Sequence, residues 1–416
     1  MECSAAPSPD TTALATLQAA VPAAPLAAPA PAALLAAFAA VPDPRRARGR
    51  RFPLAALLAL AVAALLSDQR SVLAIAQWGA RQRPAVLRAL GFGDGRVPHQ
   101  STLQRLFRKL DAGALSAAVG AALAAAVPAP NGRGSQGVAL DGKAQRGRLA
   151  FAAAGGATVH ALSAYLHEAD VVLAQAEIRS TAEKAEAELT VAPVLVARVA
   201  WPGRVLTGDA LFCQRSLLRQ VLAAGGDYLV LVRENQPTLY QDIALLFDPP
   251  PDQPAPLPLL DRREATTLEK GHGRTHDRRH LIASTDLNAH CPWPGLAQVF
   301  RLERTWRAAG GVHRQVSYGI TSLPPEAADA ARLLALKRGH WRIENRLHRA
   351  KDVTLGEDAS TVRLAAGPMV LAILRDTALS LLRVAGCRAV AARLRHYAQS
   401  PAQAVALLAP PRAENA

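Results

Sequence analysis

Apolar residues fall into dense helical blocks near the start of the chain and into short, strand-length runs after it. Residues 52–66 (FPLAALLALAVAALL) carry no charge, and 71–91 and 101–127 repeat apolar positions at three- and four-residue intervals, the period of a helix. Ser101 or Thr102 is placed to cap the third block, whose first turns set Arg105, Arg108 and Lys109 at i, i+3 and i+4 on one face. The segment 128–136 (PAPNGRGSQ) reads as a linker and puts a boundary near residue 133.

Beyond the linker the period changes. Runs at 137–140, 158–166, 171–178, 205–207 and 228–232 have strand length, and helical patterns at 184–199 and 213–224 separate the later ones. The order β, β, β, α, β, α, β predicts an α/β fold built on a ribonuclease-H-like mixed sheet. A proline-rich connection (PPPDQPAPLP) lies within 246–260, and 264–268, 280–284, 298–304 and 313–320 then read as strands of an inserted antiparallel β subdomain. A long helix at about 325–350 and two more between 368 and 407 complete the pattern. The expected division is a disordered Ala/Pro-rich tail over 1–30, an all-α N-terminal domain over 31–132, a sheet domain over 133–388 with its β insertion at about 248–322, and a C-terminal helix and tail over 389–416.

Composition narrows the partner. With 416 residues the chain has material for two or three domains, which excludes a peptide hormone or a disulfide-stapled miniature. Lys and Arg number 48 against 33 Asp and Glu, a net charge of +15, so a polyanion, nucleic acid first, is the favoured partner. Five arginines crowd 45–51, and Arg45 and Arg46 open this run; it reads as a phosphate-gripping arm in preference to a solvated turn. Cys3, Cys213, Cys291 and Cys387 have no paired spacing, so neither a disulfide framework nor a cysteine zinc site is signalled, and a reducing cytoplasm fits. Arg50 and Arg51 ahead of 52–66 imitate a targeting signal, but fifteen apolar residues fall short of the roughly 20 that span a bilayer. A buried core helix is expected there, and no membrane. His272, His276 and His280 recur every four residues, yet on a turn followed by a strand this spacing does not align them for zinc.

The candidate chemistry lies in carboxylates. Asp141 (VALDGK) and Asp209 (VLTGDA) end predicted strands one and four, neighbours in such a sheet, and two carboxylates brought close repel unless divalent cations neutralise them. In RGHWRIENRLHRAKDVTLGED, a helix advancing about 100° per residue sets His340, Glu344, His348 and Lys351 within roughly 40° of one line. Ile343, Leu347 and Ala350 form a separate apolar stripe. The polar face combines a metal ligand with groups suited to phosphate.

Taken together, VALDGKAQRGR, GDALFCQ, GGDYLVLVRENQPTL, the EKGHGR run and HWRIENRLH with DVTLGEDAS resemble the DDE transposases of bacterial insertion sequences, specifically the group that includes the H-repeat-associated proteins. The resemblance runs from about residue 40 to 385 and takes in VPDPR and VPHQSTLQR of the helical domain. It implies a catalytic triad at Asp141, Asp209 and Glu344, two Mg2+ ions with Mn2+ able to substitute, and transposon-end and target DNA as partners of a homo-oligomer at synapsis. Asp141 would bridge the ions, with Asp209 on one and Glu344 on the other. Water would cut the element end, and the freed 3′ hydroxyl would attack target DNA. Lys351, His340, Asn345, Lys143 and Arg274 join Arg45, Arg46 and Arg105 as expected DNA contacts. The wider group carries Tyr-x2-Arg-x3-Glu-x6-Lys around its glutamate; Lys351 fills the last position here, while Lys337 and His340 stand where Tyr and Arg would be. Arg349 and Leu355 replace a common Trp and Phe. Two other readings stay open: a transposase-derived DNA-binding protein that no longer cuts, which predicts loss of a triad residue, and a metal-dependent nuclease that only hydrolyses.

Overall fold

In the computed structural model, residues 31–144, 159–179, 187–250, 259–271, 274–308 and 311–408 are described, so the expected tail at 1–30 lies outside them. Six helices come first: α1 (Pro31–Ala40), α2 (Leu54–Leu66), α3 (Val72–Ala80), α4 (Pro84–Ala89), α5 (Gln100–Lys109) and α6 (Ala112–Ala125). The uncharged α2 is buried at nearly every position because its thirteen Ala, Leu and Val residues offer no polar face to water. The α5 helix is capped by His99, whose ring accepts from the Ser101 backbone N–H, and not by Ser101 or Thr102; chain entry one turn earlier leaves both hydroxyls inside the helix.

The sheet that follows has nine strands: β1 (Gln136–Ala144), β2 (Val159–Leu166), β3 (Val171–Arg179), β4 (Arg204–Gly208), β5 (Asp227–Val232), β6 (Arg263–Gly271), β7 (Arg274–Ser284), β8 (Gln298–Ala308) and β9 (Gly311–Thr321). Its order is β3-β2-β1-β4-β5-β9-β8-β7-β6. The β1–β4 and β4–β5 pairs are parallel and every other pair is antiparallel. Strands β4 and β5 are buried along their whole length, as expected of parallel strands covered on both faces. Helices α7 (Glu188–Val196) and α8 (Arg215–Ala223) form the crossovers around β4, and α9 (Pro237–Phe247) leads out of β5.

The inserted strands do not form a separate sheet. Leu229–Val232 of β5 pair with Tyr318–Thr321 of β9, so β6–β9 extend the same sheet. Only the C-terminal end of β9 is buried and its first six residues are exposed, so the far part of the insertion projects as an arm. At its base Leu281, Ala283, Phe300 and Leu302 are buried with Val205 and Leu229 of β4 and β5.

After β9 come α10 (Ala330–His340), α11 (Gly367–Val384), α12 (Val390–Gln399) and α13 (Pro401–Ala406). Sixteen of the eighteen residues of α11 are buried, because this helix lies between β3 on one side and α2 on the other. Helix α6 also sits on β3, so closely that a Cβ at Gly120 would fall 1.8 Å from the Leu173 carbonyl oxygen. One apolar core therefore runs from Leu34 to Leu408 across the N-terminal helices, the sheet and the C-terminal helices.

The expected long helix at 325–350 begins at Ala330, where Asp329 caps the first turn by accepting from the Arg332 N–H. It then widens into two π-helical stretches, Ile343–His348 and Ala350–Thr354. The Arg349 N–H bonds the Glu344 carbonyl and the Leu355 N–H the Ala350 carbonyl, five residues back instead of four.

Candidate active site

The parallel β1–β4 ladder ends at the pair Ala139 and Thr207. Asp141 and Asp209 each lie two residues further on, and two residues restore the same face of a strand, so the ladder itself brings the two carboxylates together. Asp141 is still within β1, paired antiparallel with Ser163 of β2. Asp209 has left the sheet: it caps a short turn at Ala210–Phe212, its Oδ1 accepting from the Leu211 N–H at 2.9 Å. Asn235 fixes that turn by donating to the Ala210 carbonyl at 2.7 Å.

Glu344 arrives from the first π-helical stretch and is exposed. Its charge, those of Glu188 and Asp209, and above all burial push the Asp141 carboxyl up to about 7. Asp141 keeps 30% of its side chain exposed, and His348 Nδ1 lies 3.5 Å from its Oδ2. Burial, reinforced by Lys351 and Lys143, pushes the His348 imidazole down to about 3, so this ring is neutral and does not offset the carboxylates. A second basic group borders the cluster. Lys337, in the last turn of α10, is buried, and burial pushes its ammonium down to about 8 against the pull of Asp209 and Glu344.

Sequence spacing marks Lys337 only as the residue standing where the wider group carries Tyr, and it gives no sign of Glu188. Glu188 is one of three glutamates within 183–188 (EKAEAE), and nothing in that run distinguishes it. It stands in the first turn of α7, against Gly142 of β1, where a Cβ would come within 2.0 Å of its Oε1.

Several expected DNA contacts are internal. Lys351 is only 1% exposed; its Nζ lies 3.0 Å from Asp376 and 3.4 Å from Glu357. Burial alone would depress this ammonium, but the two carboxylates hold it above its usual value. Lys143 is likewise buried, 2.7 Å from Asp352 and 3.6 Å from Glu357. His340 is buried beside Thr207, whose Oγ1 is 3.3 Å from His340 Nδ1 and 2.9 Å from His167 Nε2. The single polar helix face thus breaks up: α-helical steps do not carry through π-helical turns, and Lys351 and His340 end inside the protein while Glu344 does not. Arg45 is also engaged, its guanidinium chelated by Asp43 at 2.8 Å and donating to the Phe52 carbonyl. Arg46, Arg105 and Asn345 remain exposed. Arg274 pairs with Gly271 at the β6–β7 hairpin, and its side chain lies outside the described residues, as does His272. The projecting arm adds exposed Arg278, Arg307 and Arg314, none of which the sequence singled out.

The arm is tied to the site through Trp341. Its ring packs against the guanidinium groups of Arg279 and Arg304, cross-strand partners on β7 and β8, 4.5 and 4.8 Å from the ring centre, just ahead of the π-helical stretch that carries Glu344. A cleft of about 710 Å³ opens beside Asp209, with Gln214, Arg233, Asn235, Tyr240 and Gln315 in its walls.

Among the described residues, no three His, Cys, Asp or Glu side chains already converge at metal-ligating distance. The chemistry of the donor set still fits a hard divalent cation: all the anionic groups are carboxylates, they repel one another, and the nearest imidazole is neutral.

A sheet bearing carboxylates at the ends of adjacent parallel strands, joined by a third from a following helix, is the framework on which the comparisons with known proteins bear. The family described as "Transposase DDE domain" matches residues 132–380, and the one described as "DDE_Tnp_1-associated" matches 35–121. The chain belongs to the DDE-domain transposases. YncI of Escherichia coli O157:H7, whose name assigns it provisionally to the transposases, is 26% identical over 361 residues, covering 84% of this chain and 87% of that one. The "Uncharacterized protein in dhlA 3'region" of Xanthobacter autotrophicus is 29% identical over 288 residues, 68% of this chain and 92% of that one. The H repeat-associated protein YhhI of Escherichia coli (strain K12) is 27% identical over 59% of this chain. A solved piggyBac transposase synaptic complex with hairpin DNA aligns at 9% identity with a TM-score of 0.44, over 92% of this chain and 83% of that one.

Proposed function

We propose that this transposase cleaves the ends of an insertion sequence and joins the freed 3′ hydroxyl to target DNA, using Asp141, Asp209 and Glu344 to hold two divalent cations. The observation that carries this reading is the matched position of Asp141 and Asp209 beyond one ladder rung, with Glu344 acting on the same carboxyl. The strand order β3-β2-β1-β4-β5 and its pairing directions support a ribonuclease-H-like catalytic sheet, with β6–β9 as the insertion and the α1–α6 region as an associated DNA-binding unit.

When bound, Mg2+ supplies Lewis-acid stabilisation of the attacking and leaving oxygens. The chain does the rest. Asp141, Asp209 and Glu344 hold the cations and so fix where the scissile phosphate lies. The neutral His348 keeps its Nδ1 toward Asp141 Oδ2 and orients that carboxylate. Lys337, buried beneath the site, partly offsets the charge of Asp209 and Glu344 from inside the protein. In the first step a water oxygen bonds to phosphorus and the P–O3′ bond breaks, leaving a 3′ hydroxyl on the element. In the second, that hydroxyl bonds to a target phosphorus as one target P–O3′ bond breaks.

Arg46 and Arg105 on the helices and Arg278 and Arg307 on the arm supply exposed charge for DNA, and a homo-oligomer in the cytoplasm would bring two ends together. All three carboxylates are present, which favours an active enzyme over a silent binding protein. Cleavage of a labelled element end in Mg2+ by the wild type, Asp141→Asn, Asp209→Asn and Glu344→Gln tests the assignment. Full cleavage by any one variant contradicts it.

A further inference from the structure

We infer that Lys143 is a positioning residue for this reaction: through Asp352 it ties the strand that carries Asp141 to the helical segment that carries Glu344. The role deepens the triad reading above and rests on it.

Strand and helix deliver their carboxylates from distant parts of the chain, so whatever fixes one against the other sets whether they meet. Asp141 and Lys143 are two residues apart on β1 and therefore share one face of it, about 7 Å apart along the strand. Glu344, His348 and Asp352 follow at four-residue steps on the helical segment. The two rows meet in order. His348 Nδ1 stands 3.5 Å from Asp141 Oδ2, and one step on, Lys143 Nζ stands 2.7 Å from Asp352 Oδ1. The same ammonium lies 3.6 Å from Glu357 and 3.6 Å from Asp358, just after the segment ends.

Apolar packing alone would hold the segment down without fixing its register. Ile343 and Leu347 are buried, but such contact is non-directional and resists sliding along the axis only weakly. An ion pair between two defined atoms is directional. Ahead of Glu344 the segment is held by Trp341 against Arg279 and Arg304, and beyond it Lys143 supplies the second tether. Lys143 is buried, so its charge serves this joint inside the protein. Its loss leaves Glu357 with Lys351 at 3.4 Å and Arg375 at 3.7 Å, and leaves Asp352 and Asp358 half-buried with access to water. The fold should therefore persist while Glu344 shifts against Asp141, and a displacement of about 1 Å in a reacting group can cost on the order of a hundredfold in rate.

The test combines end cleavage in Mg2+, binding of the element end in EDTA, and calorimetric titration of the full chain with Mn2+ in the absence of DNA. Lys143→Met keeps the stem and removes the charge. Asp352→Asn breaks the same pair from its half-buried side, and it alone decides if Lys143→Met fails to fold. Each variant is expected to lower kcat about 10- to 100-fold and to weaken Mn2+ binding by about tenfold, with KM for the element end and binding in EDTA unchanged. The double variant should lose no more than the worse single one, since both break one interaction. Wild-type kcat and Mn2+ affinity in Asp352→Asn, losses that multiply in the double variant, or a raised KM in Lys143→Met would each overturn this role; the triad stands if Glu344→Gln is inactive in the same assay. Cleavage by Glu344→Gln at the wild-type rate overturns the triad reading as well.

Discussion

Asp141 and Asp209 stand at equivalent positions of one parallel ladder, each two residues past the last rung, Ala139 with Thr207. Backbone register, rather than any contact between the two side chains, sets their proximity. Removing either charge should therefore leave the sheet intact and relieve repulsion. Asp141→Asn and Asp209→Asn are expected to lose cleavage by at least about a thousandfold, the scale of several kcal/mol of lost charge stabilisation. Their unfolding midpoints should match or exceed the wild type's. A variant that unfolds instead would mean that the carboxylates support the fold.

Lys351 and Arg105, both basic and both expected at DNA, should behave in opposite ways. Lys351 is enclosed with Asp376, Glu357 and Arg375 beneath the π-helical segment. Replacing it by Met leaves buried carboxylates without their partner, a loss of about 3–5 kcal/mol in urea unfolding. Arg105 is exposed on α5 and, among the described residues, donates only to the Ser101 carbonyl. Arg105→Ala should change stability by less than about 0.5 kcal/mol. It should also reduce the slope of log K against log salt by about one for the element end. Equal stability losses in the two variants would refute the distinction.

Much of this arrangement was legible in the sequence, and the limits have physical causes. Strands β4 and β5 are short runs buried on both faces, so composition alone marks them, and an apolar run meeting Asp beside Gly marks Asp141 and Asp209, although β1 continues through Asp141 to Ala144 instead of ending there. The sequence pattern marks a helix around Glu344, but α-helical steps do not carry its polar face through residues that adopt π-helical turns. Net charge misled in a related way. It counts Lys143, Lys351 and Arg45 as available to a polyanion, although Asp352, Asp376 and Asp43 engage them inside the protein. Glu188 lies against Gly142 of β1, a tertiary contact that no local pattern encodes.

Three histidines kept neutral by burial, His167, His340 and His348, should lower stability in mild acid. The fall is partly offset by Asp141, whose carboxyl is raised to about 7 and takes up a proton in the folded chain as pH falls. Burial pushes His167 and His348 down to about 3 and holds His340 well below its usual 6.5, so all three are neutral in the folded protein. Below pH 6.5 the unfolded histidines bind protons that the folded ones do not, so stability drops as pH falls from 6.5 toward 3. Each histidine contributes up to about 1.4 kcal/mol per pH unit. Urea midpoints measured from pH 7.5 to 5 should show that slope, and His167→Gln should make it shallower. An unchanged slope in the variant would rule out His167 as a source.

Helix α6 and strand β3 meet at Gly120 and Leu173, where no Cβ fits. Gly120→Ala should therefore separate helix from sheet at a cost of about 1–3 kcal/mol or more, even though alanine favours helices. Thermal unfolding should remain a single transition, since one core joins the helices to the sheet. Two resolved transitions would show that the helices fold as an independent unit.

The most direct test of the central claim is strand transfer by purified full-length protein, with a labelled element end, supercoiled plasmid and Mg2+. Wild-type protein should yield plasmid carrying the covalently joined label at its 3′ end, and Glu344→Gln should yield none while still binding the end. Cleaved ends without joined plasmid would leave a nuclease that only hydrolyses, and joining by Glu344→Gln at the wild-type rate would contradict the proposed triad.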